Sequence, residues 1–78
     1  MGLTLQAMDN GTNATIVNLP VGRARQRLEA LGLRVGKAVT KVSGMPFCGP
    51  VCLVLDGRQI AIGHGVASRI EVSSVEDG

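Results

Sequence analysis

Apolar and polar positions alternate with changing period along this 78-residue chain, and each change marks an element. Ala24, Leu28 and Leu31 recur at helical spacing, while Arg23, Arg25, Gln26 and Arg27 fill the rest of the surface. That pattern predicts a short basic amphipathic helix over 23–31. Gly32 sits where a left-handed residue ends a helix. Leu33 can then fold back onto the apolar face, and Gly36 permits reversal into the next strand. Upstream, 13–19 reads as a first strand, broken by Pro20 and Gly22. Downstream, 37–43 reads as a second, with Ala38, Thr40 and Val42 alternating with Val39 and Lys41. The runs 51–55 and 58–62 flank Asp56-Gly57, a strong hairpin signal because a type I′ turn needs positive φ at both central residues. A two-residue loop pairs Leu53 with Ile60 and Val51 with Ile62, giving one apolar face. Met45 to Pro50, with two prolines and Gly49, is an irregular loop. Leu5 and Met8 share one side of a helical turn over 3–8, before the turn signal Asp9-Asn10-Gly11. Val66–Arg69 makes another helical turn, 70–72 a last short strand, and 73–78 a frayed polar tail.

Five short strands and one helix of about nine residues form a mainly β fold: a small curled antiparallel barrel with the helix at one end. The length allows one domain, 1–78, with one modest core. That core is aliphatic, because aromatic residues make up 1% of the chain and Phe47 is the sole one. A net charge of +2 and the missing stacking platform argue against nucleic acid as partner. No apolar run approaches the roughly 20 residues that span a bilayer, and no charged n-region precedes an apolar stretch at the start. Direct membrane insertion is therefore not expected. Cys48 and Cys52 would lie roughly 13 Å apart on a regular strand, beyond disulfide reach. Reduced thiols fit a cytoplasmic location.

Several residues, in order, resemble the FeoA family. They begin with Leu3-Thr4-Leu5 and Gly11, and continue through Arg27-Leu28-x-x-Leu31-Gly32-Leu33-x-x-Gly36-x-x-Val39. Pro46-x-x-Gly49-Pro50-Val51, Gly57-x-x-Ile60-Ala61-Ile62 and Ala67-x-x-Ile70-x-Val72 complete the series. The helix-to-strand portion is the most specific, and the resemblance covers almost the whole chain. It implies an SH3-like antiparallel barrel and a cytosolic protein that accompanies the bacterial or archaeal ferrous iron transporter. The chain departs from the family where Gly63-His64-Gly65-Val66 replaces a basic residue followed by acidic ones.

Three groups of residues are candidates for function. The basic helix offers Arg23, Arg25, Arg27 and Arg34, with Lys37 and Lys41 nearby, as a docking surface for an acidic patch. Arginine suits that role through bidentate contacts; the plainer reading is a solvated helix face. Cys48, Cys52 and His64 would gather near the open end of the hairpin, where thiolate and imidazole suit zinc or ferrous iron. Strand alternation nevertheless puts His64 and the cysteines on opposite faces, and no fourth ligand is evident. No metal or other cofactor is therefore assigned, and Cys52 reads as a small packed hydrophobe. Phe47, between two prolines, is either a partner anchor or a lid on the barrel. No catalytic set stands out: Asp56 belongs to a turn, Glu29 and Glu71 to the surface, and a Cys48 nucleophile beside His64 has little support.

The resulting expectation is a non-enzymatic accessory protein of ferrous iron uptake. It would bind the cytoplasmic GTPase portion of the transporter through Arg23, Arg25, Arg27, Arg34 and Phe47, and so be recruited to the inner face of the membrane. The alternatives are a metal-responsive sensor or carrier using Cys48, Cys52 and His64, and an adaptor unrelated to iron. Exposed strand edges leave a homo-oligomer open.

Overall fold

The computed structural model describes residues 3–43 and 49–74. Its elements are β1 (Leu3–Thr4), β2 (Asn13–Asn18), α1 (Arg23–Ala30), β3 (Ala38–Ser43), β4 (Val51–Leu55), β5 (Arg58–Ile62), α2 (His64–Ala67) and β6 (Glu71–Ser74). The strands form one antiparallel sheet in the order β1-β6-β2-β3-β4-β5. Leu5, Ile16, Leu33, Leu53 and Ile70 are fully buried in the core it encloses.

The β4–β5 hairpin follows the alternation of its residues. Leu53 pairs with Ile60 and Val51 with Ile62. Asp56 and Gly57 take φ of 52° and 77°, the two positive values that a type I′ turn demands. Lys37 bonds the Asp56 carboxylate at 2.9 Å, so the hairpin tip is tied to the entrance of β3.

The end of α1 is a Schellman motif. Gly32, at φ 100°, donates its N–H to the Glu29 carbonyl, and Leu33 donates to the Leu28 carbonyl. This reversal drops Leu33 into the core beside Leu28, while Leu31 remains 40% exposed. The apolar stripe therefore runs Ala24–Leu28 and then leaves the helix, rather than continuing to Leu31 as helical spacing suggests. The turn that follows docks on β2, with the Gly36 amide donating to the Ile16 carbonyl at 2.7 Å.

At the N-terminus the expected helical turn over 3–8 is instead a two-residue strand followed by a turn. Leu3 pairs with Val72 and Thr4 with Glu71, pairings invisible to local periodicity. Among the described residues the sheet thus has six strands rather than five. Leu5 and Met8 are still buried, in agreement with their shared side. Ser73 and Ser74 lie opposite Thr15 and Ala14 in β6, so the ordered chain extends past the point where fraying is expected. The second helical turn begins at His64 rather than Val66.

Candidate docking surface

The basic helix and the end of the hairpin together build a groove of about 350 Å³. Its helical wall is Ala24, Leu28 and Leu31; its other wall is Ala61, Ile62 and Gly63, with Val66 of α2 closing it. The helix is held against the hairpin by Arg58, whose guanidinium donates to the Leu31 carbonyl at 3.1 Å. Arg23 and Arg27 also line the groove, one turn apart on the helix, and both are exposed. Among the described residues no acidic side chain lines it. Glu29, the one acid within α1, is engaged by Arg25 at 3.3 Å across one helical turn.

The start of α1 runs against local preference. Gly22 is its N-cap and supplies no side-chain hydrogen bond, and the first turn carries no acid. A helix N-terminus is the positive end of the macrodipole and favours Asp or Glu; here it opens on Arg23. Residues that break a local rule of this kind concentrate at functional sites.

The remaining candidates separate. Arg25 is half-buried in its pair with Glu29, and Arg34 is exposed in the turn beyond Gly32, outside the groove. Phe47 and Cys48 lie outside the described residues. Cys52 is a free, half-buried thiol opposite Ala61 in the β4–β5 ladder, not a fully packed hydrophobe. His64 opens α2. Among the described residues no three His, Cys, Asp or Glu side chains gather as a metal site would require.

Lys41 belongs to a different place altogether. It is 3% exposed, and its ammonium donates to the carbonyls of Gln6 and Met8 at 2.7 Å each. It therefore contributes nothing to the basic face with which the sequence groups it. Burial pushes its pKa below the ordinary lysine value, and the neighbouring Asp9 carboxylate pulls the other way. Sequence inspection also passes over the groove wall, because Ala61, Gly63 and Val66 carry no chemistry of their own. The signal available was the β5 register, which places Ala61 on the side away from the core.

No helix among the described residues is long and apolar enough to cross a membrane. No curated protein matches the chain significantly. Solved structures do. A crystal structure of an iron uptake regulatory protein, FeoA, superposes with a TM-score of 0.87 at 33% identity, covering 96% of this chain and 100% of that one. The solution structure of iron(II) transport protein A from Clostridium thermocellum gives 0.85 at 26%, with 94% of this chain matching 46% of that one. ScaR with bound Zn2+ shares the fold, at a TM-score of 0.84 and 24% identity; the match takes in 94% of this chain and 37% of ScaR. The FeoA domain model matches residues 3–74, and with the SH3-like sheet and its short helix in agreement, the chain belongs to the FeoA family.

Proposed function

We propose that this protein serves ferrous iron transport as a non-enzymatic accessory factor, and that it docks on the cytoplasmic portion of the ferrous iron transporter through the α1–β5 groove. Family membership, and the iron uptake and iron(II) transport roles named for its relatives, support the first part. The observation that carries the second is an apolar groove lined, among the described residues, by Arg23 and Arg27 and by no acid. Apolar walls supply contact area for a partner, and exposed guanidiniums select an acidic one and speed its approach. On this reading the protein works at the inner face of the membrane, brought there by its partner.

Capture of the transporter's cytoplasmic GTPase portion, measured at increasing salt, tests the reading. Wild-type capture weakens as ionic strength rises. The double variant Arg23→Glu/Arg27→Glu loses on the order of 100-fold in affinity, since like charges brought together across an interface cost several kcal/mol. Undiminished capture by that variant overturns the assignment of this face.

A further inference from the structure

The groove is bounded on one side by a strand edge, β5, with α1 across from it. β5 is the last strand in the sheet order, so among the described residues one side of its backbone has no neighbouring strand. Its pairing with β4 runs from Leu55↔Arg58 to Val51↔Ile62 without a shift, whereas the β2–β6 and β3–β4 pairings are interrupted by shifts of register. The opposite edge, β1, is only two residues long. Proteins ordinarily blunt a regular edge with a bulge, a proline or a charge. Arg58, the one charge of β5, is turned to the Leu31 carbonyl at the end of α1, and 59–62 has neither bulge, proline nor charge.

The direction of the free groups follows from the hairpin. In a two-residue loop, Leu55 and Arg58 form the hydrogen-bonded pair that closes the turn. Antiparallel pairs then alternate, so Leu53–Ile60 and Val51–Ile62 are hydrogen-bonded to each other. Gln59 and Ala61 are left with their N–H and C=O groups facing outward. Ala61 is a residue of the groove wall. Backbone donors and acceptors therefore stand beside apolar side chains and two arginines.

We propose that the free edge of β5 takes up an extended acidic segment of the partner protein as an added strand, hydrogen-bonded to Gln59 and Ala61. Alternate apolar side chains of that segment fill the space between Leu28 and Ile62, and its carboxylates meet Arg23 and Arg27. The inference rests on the docking reading above and specifies the form of the docked segment. A helix is the poorer occupant: its backbone groups are already used internally, so it cannot satisfy the β5 edge, while a strand does. Charge complementarity makes the segment acidic.

The probe is the blocked hexapeptide Leu-Glu-Val-Glu-Leu-Glu, titrated into the full-length isotopically labelled protein. Expected are shifts and slowed hydrogen exchange at the Gln59 and Ala61 amides, and no binding of the counterpart with Lys for Glu. Methylating alternate peptide nitrogens distinguishes pairing from simple contact. One of the two alternate sets weakens binding by about tenfold or more, because it removes the donors aimed at β5, and the other does not. On the protein side, Ala61→Pro deletes an outward N–H that the β4–β5 ladder does not use. It weakens both the peptide and capture of the transporter portion by about tenfold. If Ala61→Pro fails to fold, the methylated peptides decide alone.

Equal binding by both methylated sets, or shifts confined to residues away from 58–63, overturns the proposal. So does a concentration-dependent dimer dissolved by Ala61→Pro, which would make a second copy the occupant. If Arg23→Glu/Arg27→Glu loses transporter capture while Ala61→Pro keeps it, the added strand is wrong and the docking face stands. If the peptide pairs with β5 while the arginine variant captures the transporter normally, the added strand stands and the transporter assignment falls.

Discussion

Two regions of this molecule hold positive charge in opposite ways. Lys41 is sealed inside, and its ammonium is spent on the carbonyls of Gln6 and Met8. It pins the loop after β1 against β3, where the Gly11 amide also donates to the Lys41 carbonyl. Arg23 and Arg27 stand exposed at a groove and make no ion pair among the described residues. A buried cation must find partners because desolvation is costly, so Lys41 is an internal fastener. Exposed guanidiniums are free to be used by something else. Positive charge alone does not distinguish the two roles; burial does.

Variants at the two regions should therefore diverge, and the largest loss of stability belongs to the fastener. Lys41→Met leaves two carbonyls without their donor and costs about 2 kcal/mol. That lowers the melting temperature by roughly 10 °C in a domain of this size, as read by circular dichroism. Retention of the wild-type melting curve would demote Lys41 to an ordinary surface residue. Next is Gly32→Ala, at the hinge that sets α1 against the hairpin. Its Cβ would meet Leu55 Cδ2 at 3.2 Å in a backbone at φ +100°. The expected cost is about 1 kcal/mol, visible in urea unfolding, with weaker partner binding because the groove wall shifts.

A smaller effect is alkaline. Because burial lowers the folded-state pKa of Lys41 below 10.5, the unfolded chain binds more protons between the two values. Stability contributed by this residue therefore rises with pH through that window and levels off above 10.5. A neutral amine still donates to both carbonyls. Subtracting the Lys41→Met curve from wild type isolates the rise; a fall in the difference curve refutes the assignment. The smallest change in stability belongs to the open region. Arg23→Glu/Arg27→Glu leaves unfolding within about 0.5 kcal/mol of wild type. Its sign is the informative part: an acid at the first helical position complements the macrodipole, so melting rises slightly while partner capture is lost. A pronounced drop in melting would mean that the arginines hold the fold rather than a partner.

Much of the architecture is legible in local chemistry. Asp56-Gly57 dictates both the turn and the five-pair register of the hairpin, and Gly32 stops the helix where the spacing places it. What escapes sequence inspection depends on residues far away in the chain. Leu3–Thr4 becomes a strand only because Glu71 and Val72 lie alongside. Leu31 fits the helical stripe, yet the reversal at Gly32 hands its buried place to Leu33. Lys41 alternates with Val42 as a polar residue should on an outward face, but the inward position falls to the lysine, and Val42 is left 43% exposed. Distant carbonyls at Gln6 and Met8 make that inversion tolerable. Of the candidate site, the arginines were readable as a charged face. The groove was not, because its second wall consists of small residues brought in by the sheet.

The placement of β6 between β1 and β2 bears on the order of folding. Helix α1 and the β4–β5 hairpin draw on contacts close in sequence, although a short helix and a two-stranded hairpin are each marginal alone. Leu3 has no partner in the sheet until Val72, far along the chain, is available. A sheet that depends on so distant a pairing matures late, since long-range closure slows folding. The Leu3–Thr4 strand thus depends on a partner that lies almost the whole described chain away.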